Sequence, residues 1–387
     1  MSFVYEDYMS YLCVQTKKIT KQMKRGVFIA IVALLGVATQ MSGAEQPTKT
    51  YRADSEQVRW VGRVDVAPEG EVRFDWSGTY AEMLFCGSKL EMTASDSGLN
   101  YFNVIVDGQQ YAIVKTEGKE PHNVVLFEGN GGTYHIRLQR RTEGFNGLTT
   151  IHSFSTDGVF VEGQNLAKGR HIEFIGDSLT AGYGTDSASG SEPYTPETQN
   201  CNLAYGCYIA RYFDADYNLV AHSGQGMVRN YGDEKPTSDY TMVQRYGLLF
   251  DEADRERAYN FRRQSYIPDL VVIFLGTNDF STKPWPTYEQ FSEGYAKMVE
   301  QVRAAHGPEV PILCVSSYVF EPTFDYVWRI AQGDENLHFA CILPESFAYP
   351  KELGASEHPN RVGQQKMAMA LIPYVSTITG WDVRHNM

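Results

Sequence analysis

The sequence predicts two folded regions, an all-β sandwich of the jelly-roll type at residues 51–164 and a doubly wound α/β domain with a parallel sheet at residues 168–387. Short alternating strand patterns separated by turn signals fill the first region, which is typical of a β-sandwich. Fully apolar strand patterns alternate with amphipathic helix patterns in the second, as expected of a parallel sheet covered by helices. The pattern changes at residues 165–170, and 387 residues are enough for two domains.

In the first region, residues 103–114 are two β-rich runs joined by Asp107-Gly108, a strong hairpin signal. Residues 133–138 alternate polar and apolar side chains after an expected turn at 128–132. Further strands are expected at 58–66, 71–76 and 81–86. Trp60 and Trp76 are compatible with a carbohydrate-binding surface, but packing in the strand core is the preferred interpretation.

In the second region, buried strands are expected at residues 171–175, 217–222, 270–276, 311–316 and 338–342, with helices at 288–305 and 361–377. Ligands of such sheets bind beyond the carboxyl ends of the strands. Candidate functional residues are therefore sought there.

Residues 1–44 have the features of a secretory signal peptide. Met23-Lys24-Arg25 precedes an apolar run at 27–38, and small residues then end at Ala44, the expected cleavage point. Residues 1–22 make the leading part unusually long, so Met23 is the suspected true start. The run is too short for a membrane span, so no stable membrane insertion is expected. We expect a secreted or periplasmic protein.

Charge and cysteine content narrow the possible partners. Residues 1–44 hold five basic and two acidic side chains, so their removal changes the net charge from −13 to −16. That field repels nucleic acid and anionic lipid but tolerates a neutral polysaccharide. Cys201 and Cys207 are close enough in sequence to pair, although the five remaining cysteines show no disulfide framework. No zinc-type spacing is present, so no metal or other cofactor is expected.

Four strand ends or late loops carry reactive or small polar residues. Ser178 lies in Gly176-Asp177-Ser178-Leu179 after the first apolar strand, and the loop after the second strand ends at Gly226. Asn278 follows the third strand, and His358-Pro359 precedes the last helix. Ester cleavage needs such a set, because a serine becomes a nucleophile beside a histidine whose pKa is near neutrality.

These four blocks resemble, in order and in strand context, those of the SGNH (GDSL-type) hydrolases. The segments RLQRRTEGFNGLTTIHSF, SGQGMVRN and TPETQNCNLAYG, with the preceding β-region, are most similar to carbohydrate esterase family 2. The resemblance implies a doubly wound fold and removal of acetyl groups from plant polysaccharides, as in acetylxylan esterases. It also implies a preference for the sugar 6-position and no need for a metal.

By the same resemblance, Ser178 is the nucleophile and His358 the base. The oxyanion hole consists of the N–H groups of Ser178 and Gly226 and the side chain of Asn278. Gly224 competes with Gly226, and His222, also just past a strand, competes with His358. Taken singly, such residues could simply cap a helix or shape a turn, but four matching blocks together favour the catalytic interpretation.

The sequence departs from the resembled pattern at the third triad member. SGNH enzymes commonly carry Asp three residues before the His, and many members of the resembled family carry it two residues before. This chain has Ala355 and Ser356 at those positions. Glu357 is adjacent to His358, and its side chain is expected to point elsewhere. Some family members work as a Ser–His dyad oriented by a backbone carbonyl, and the resemblance implies such a dyad here.

The expected substrate is an acetylated polysaccharide or oligosaccharide. Tyr183, Trp285 and Tyr318 are candidate substrate-binding residues, because aromatic rings stack on sugars. One alternative is a lipolytic or thioesterase-type SGNH hydrolase, which needs an apolar acyl channel. The other is a non-catalytic sugar-binding protein, and the missing triad acid is the only feature that supports it.

Overall fold

A computed structural model describes residues 48–264, 266–317, 321–343 and 351–383, all within the compact unit Thr48–Met387. The expected signal peptide lies outside the described residues. Among those that are described, no helix combines the length and apolar character needed to cross a bilayer.

The amino-terminal region forms an antiparallel β-domain around its own apolar core, which includes Phe74, Phe102 and Ile136. Its strands within the described residues are β1 (Lys49–Arg52), β2 (Arg59–Val61), β3 (Asp65–Val66), β4 (Val72–Phe74), β5 (Tyr80–Asp96), β6 (Leu99–Val106), β7 (Gln109–Glu117), β8 (His122–Arg140), β9 (Thr149–Thr156) and β10 (Val159–Phe160).

The hairpin at Asp107-Gly108 is present between β6 and β7, and both turn residues have positive φ, 49° and 79°. This conformation explains why Asp and Gly are found there.

Two expectations for the β-domain are wrong. The structure has no turn at residues 128–132, because β8 continues through them. Gly132 pairs with Gly87 of β5, and the register of the two strands shifts between Gly87 and Lys89. The expected strand at 58–66 is divided into β2 and β3 by Gly62, whose φ is +117°. After this break the buried Arg63 side chain donates to the carbonyl of Leu248, 2.7 Å away.

The carboxyl-terminal region confirms the predicted doubly wound α/β fold. Its strands are β11 (His171–Gly176), β12 (Asp216–Ala221), β13 (Leu270–Phe274), β14 (Ile312–Ser317), β15 (Leu337–Ile342) and the short pair β16 (Leu353–Gly354) and β17 (His358–Pro359). Its helices are α1 (Ser178–Ala181), α2 (Tyr205–Phe213), α3 (Met242–Arg245), α4 (Tyr288–His306), α5 (Glu321–Ala331) and α6 (Arg361–Thr379).

The five longer strands are all parallel, in the order β12-β11-β13-β14-β15. Alternate residues of each strand enter different cores: Phe174 packs in one core with residues of α2 and α6, whereas Ile175 packs in the other with residues of α4. Burial on both faces explains the continuous apolar runs of the sequence. The strand order reverses beside β11, and a ligand site is expected at that point.

The β-domain contributes side chains to both of these cores. Tyr80 belongs to one, and Trp76 belongs to the other and donates its indole N–H to the carbonyl of Leu249, 3.0 Å away. Trp60 packs beside Phe74 at a ring distance of 5.2 Å, so both tryptophans serve packing. The β-domain is therefore built into the α/β domain rather than tethered to it.

Candidate active site

Ser178 lies at the carboxyl end of β11, where the chain turns sharply into α1. The Asp177 carboxylate caps this turn by accepting the N–H of Leu179 at 3.0 Å. A side chain at position 176 would meet Thr180 Oγ1 at 2.0 Å, so only glycine fits before the turn. The Gly-Asp-Ser sequence thus places the serine hydroxyl at the strand edge.

The imidazole of His358 contacts this hydroxyl from the opposite end of the domain's sequence. His358 begins β17, which pairs with β16, and the next helix is capped by Asn360. The Nε2 atom of His358 lies 2.8 Å from Oγ of Ser178. A neutral imidazole at this distance can accept the hydroxyl proton.

The other imidazole nitrogen is held by a backbone carbonyl. Nδ1 of His358 lies 3.0 Å from the carbonyl oxygen of Ser356, so the ring donates its Nδ1–H there. Ser356 and Glu357 both adopt left-handed backbone conformations, with φ of 52° and 61°. The Glu357 side chain is exposed, and Ala355 and Ser356 carry no charge.

A loop of residues 184–192 holds this left-handed turn in place. The N–H groups of Ala355, Ser356 and Glu357 donate to the carbonyls of Gly184 (3.1 Å), Glu192 (2.9 Å) and Gly190 (3.1 Å). Non-glycine residues in this conformation cost about 1–2 kcal/mol each. Three backbone hydrogen bonds offset that cost and fix the direction of the Ser356 carbonyl.

Asn278 contacts Asp177, the residue before Ser178, and is buried. Its side-chain nitrogen donates to Asp177 Oδ2 at 3.1 Å and to the carbonyl of Gln225 at 2.8 Å. The amide therefore joins the turn after β11 to the segment after β12. An oxyanion bound at this amide would have to share these hydrogen bonds.

Gly226 and Gly224 differ in their surroundings. Gly226 is tightly packed: a side chain there would meet the carbonyl of Arg229 at 1.9 Å, and its N–H donates to Asn230 Oδ1 at 3.2 Å. Gly224 has a φ of +79° and open space around it. The structure thus requires glycine at both positions, at Gly226 for space and at Gly224 for backbone conformation.

His222 is occupied by a different set of partners. Its Nδ1 lies 2.9 Å from the Asp251 carboxylate, which also binds Arg245 at 2.8 Å. Glu252 completes a group whose ligand-type atoms lie within 4.8 Å of one another, but Arg245 already pairs with both carboxylates. These bonds hold His222 in a buried ionic network.

The candidate sugar-stacking residues differ in their neighbours and in their exposure. The ring of Tyr183 lies 4.5 Å from that of His358 and stacks on Tyr194 at 4.2 Å. Trp285 is 42% exposed and packs edge-on against Phe280 at 6.3 Å. Tyr318 lies outside the described residues.

Two residues of this region were missed by the sequence analysis, Glu143 and Phe145. Both lie in the segment TEGFN, which carries part of the family resemblance but by itself indicates no role for either residue. Phe145 packs edge-on against Tyr194 and His222 at ring distances of 5.9 and 5.7 Å. Glu143 hydrogen-bonds to Ser223 beside the oxyanion candidates. A segment of the β-domain therefore borders the site.

Burial shifts the pKa values of several side chains in this region. It raises the pKa of Asp177 to about 7 and that of Asp279 to about 6, because both carboxyls are removed from water. Burial lowers the pKa of His358, because removal from water disfavours the charged imidazolium. Burial alone would also lower the pKa of His222, but the Asp251 carboxylate outweighs it and the pKa of His222 is raised.

The chain matches two family profiles. Residues 60–161 match the carbohydrate esterase 2 N-terminal family, and residues 174–365 match the GDSL-like lipase/acylhydrolase family. An acetylxylan esterase / glucomannan deacetylase of Cellvibrio japonicus is 31% identical over 290 residues, which are 70% of this chain and 77% of that protein.

Two further proteins are similar over most of this chain. The cellulase/esterase CelE of Acetivibrio thermocellus is 28% identical over 358 residues, 87% of this chain, and the chain covers only 41% of that protein's length. A solved family two carbohydrate esterase from Clostridium thermocellum, in complex with cellohexaose, is 28% identical with a TM-score of 0.76. The alignment covers 84% of this chain and all of that one (100%).

The pKa values of His358 and His222 are expected to lie on opposite sides of the ordinary histidine pKa of about 6.5. Burial without a carboxylate partner lowers the pKa of His358, whereas Asp251 raises that of His222. An NMR titration of histidine ring carbons, assigned with His358→Gln and His222→Gln, measures both. A His358 midpoint above about 6.5 would indicate a carboxylate partner and contradict the carbonyl-held ring.

Proposed function

We propose that this chain, which belongs to carbohydrate esterase family 2, is a secreted serine esterase that removes O-acetyl groups from plant-type polysaccharides or oligosaccharides. The observation that carries the proposal is the 2.8 Å contact between Ser178 Oγ and His358 Nε2 at the switch point of the parallel sheet. A serine is a weak nucleophile by itself, and a base within hydrogen-bond reach activates it.

In the first half of the reaction, Nε2 of His358 takes the Ser178 hydroxyl proton while Oγ attacks the acetyl carbonyl carbon. The tetrahedral intermediate collapses when the same proton passes from Nε2 to the sugar oxygen, and the deacetylated sugar leaves. In the second half, His358 deprotonates a water that attacks the acetyl carbonyl carbon of the acetyl-enzyme. The bond to Ser178 Oγ then breaks, His358 returns the proton to Oγ, and acetate leaves. These steps use protein groups and water, so no cofactor is proposed.

The carbonyl of Ser356 takes the place of a triad carboxylate in this scheme. Accepting Nδ1–H fixes the tautomer in which Nε2 is the free acceptor. It offers a partial rather than a full negative charge to the imidazolium that forms during the reaction. We therefore propose a catalytic dyad of Ser178 and His358, with Ser356 as a positioning residue.

We propose the N–H groups of Ser178 and Gly226 and the amide of Asn278 as the oxyanion hole. The side-chain nitrogen of Asn278 and the N–H of Gly226 now bond to Gln225 and Asn230, so these bonds must be shared when the oxyanion forms. Catalytic hydrogen bonds commonly tighten only in the reacting complex. One such donor typically contributes about 3–4 kcal/mol of transition-state stabilisation.

The proposed substrate is a neutral acetylated glycan, with the sugar 6-position as the expected site. A chain of net charge −13 disfavours nucleic acid and anionic lipid as partners. Relatives named for acetylxylan and glucomannan, and a similar esterase bound to cellohexaose, support a glycan. Tyr183, beside His358, and the half-exposed Trp285 are proposed to contact the sugar, and Tyr318 stays a prediction.

Ser178→Ala is expected to abolish release of acetate from acetylated xylan and glucomannan, while the unfolding midpoint changes little. Wild-type activity should resist EDTA, decline from acetyl to octanoyl p-nitrophenyl esters, and remove 6-O-acetyl groups first by NMR. A preference for octanoyl would favour the lipolytic alternative. Glycan binding without any ester cleavage would favour the sugar-binding alternative.

His358→Ala should lower kcat by several orders of magnitude, whereas Glu357→Ala should lower it by less than about tenfold. The reason is that His358 contacts Ser178, and the Glu357 side chain is exposed. Initial rates on p-nitrophenyl acetate measure both. Equally severe losses would identify Glu357 as a third triad member, and an active His358→Ala variant would direct attention to His222.

We also propose export, with cleavage after Ala44. The expected outcome is that material recovered outside the cytoplasm begins at Glu45, since positive, apolar and small residues follow one another before that point. N-terminal sequencing of the exported protein measures this. Recovery of an intact Met1 or Met23 terminus would contradict it.

A further inference from the structure

The segment from His222 to Asn230, after β12, is held from one side by Asp279. The two carboxylate oxygens of Asp279 accept the backbone N–H groups of Met227 (2.9 Å), Val228 (2.7 Å) and Arg229 (2.9 Å). Asp279 follows Asn278 in sequence, so this anchor comes from the α/β domain itself. It fixes the second half of the segment, beyond Gly226.

The first half of the segment is held from the other side by the β-domain. Oε1 of Glu143 accepts the backbone N–H of Ser223 at 2.5 Å, and Oε2 accepts the Ser223 hydroxyl at 2.7 Å. Oε2 also accepts the side-chain amide of Gln199 at 2.7 Å. Three donors thus converge on one fully buried carboxylate.

Glu143 is itself rigidly placed. Its carbonyl accepts a guanidinium N–H of the buried Arg140 at 3.0 Å, and the following N–H, of Gly144, donates to Asp251 at 3.2 Å. Arg140 also binds Thr142, Thr149 and Gly147. The carboxylate can therefore transmit the position of the β-domain to Ser223.

Ser223 lies directly before the groups proposed to bind the oxyanion. Two residues further on, the carbonyl of Gln225 accepts the Asn278 amide at 2.8 Å, and the next N–H belongs to Gly226. A shift of Ser223 would move both. A misplacement of about 1 Å can cost about 100-fold in rate.

We infer that Glu143 is a positioning residue through which the β-domain sets the geometry of the oxyanion hole by binding Ser223. The inference rests on the proposed esterase function and assigns the β-domain a part in catalysis. It predicts that a change at Glu143 acts on the transition state more than on substrate binding.

The test compares Glu143→Gln with Glu82→Gln. Glutamine keeps the size of the side chain at position 143, but its amide nitrogen cannot accept a hydrogen bond. Glu82 is an equally buried carboxylate of the β-domain, but it pairs with Arg59 and Arg137, away from the segment. It therefore controls for replacement of a fully buried carboxyl group of the β-domain.

Glu143→Gln should lower kcat on p-nitrophenyl acetate by about 10- to 100-fold, with KM changed less than about threefold. Its affinity for methylboronic acid, a probe that forms a tetrahedral serine adduct, should fall in parallel. Glu82→Gln should keep its kcat whatever its stability. An unchanged kcat in folded Glu143→Gln, or an equal loss in Glu82→Gln, would overturn the inference.

Two further measurements separate this inference from the proposed function. Ser223→Ala removes only the hydrogen bond from the Ser223 hydroxyl, and it replaces Glu143→Gln in the test if that variant does not fold. It should lower kcat by about threefold or more. An unchanged kcat overturns the inference. Amide hydrogen exchange of residues 222–230 should be faster in either variant. An inactive wild type would refute the esterase function, whereas unchanged exchange would refute the positioning role alone.

Discussion

The hydrogen bond between His358 Nδ1 and the carbonyl of Ser356 is the constraint on which the proposed site depends. It orients the imidazole toward Ser178 without supplying a charged partner, and burial lowers the pKa of the ring. The carbonyl points this way only because two successive residues adopt left-handed conformations. Those conformations persist because the loop at 184–192 accepts three of the turn's N–H groups. In the proposed dyad, the backbone carbonyl of Ser356 thus takes the place of a charged third residue.

The segment proposed to form the oxyanion hole is also held by hydrogen bonds, which here come from buried carboxyl groups. Asp279 binds one half of the segment after β12, and Glu143 binds the other half from the β-domain. Further contacts fix the two domains together: Arg141 of the β-domain donates to the Gln199 carbonyl at 3.0 Å, and Trp76 enters a core of the α/β domain. Removing the β-domain would therefore expose apolar surface and release the segment.

Most of the fold could be predicted from the sequence because local signals determine it. The Asp107-Gly108 hairpin, the apolar strands and the reactive residues at their carboxyl ends follow from short-range patterns. The glycines at 129–132 mark no turn, because they lie where β8 carries extra residues opposite the step from Gly87 to Lys89 of β5, and glycine is common at such irregularities. The role of Glu143 could not be predicted, since its partner Ser223 lies 80 residues away in sequence. Backbone groups such as the Ser356 carbonyl leave no residue-type signal.

If His358 activates Ser178 as proposed, a reagent that phosphorylates activated serines, such as diethyl p-nitrophenyl phosphate, should react at Ser178. Peptide mapping by mass spectrometry after this reaction locates the modified residue. We expect one diethylphosphoryl group per chain, on Ser178, appearing in step with the loss of esterase activity. Complete inactivation with the group on another residue, or full activity with Ser178 modified, would contradict it.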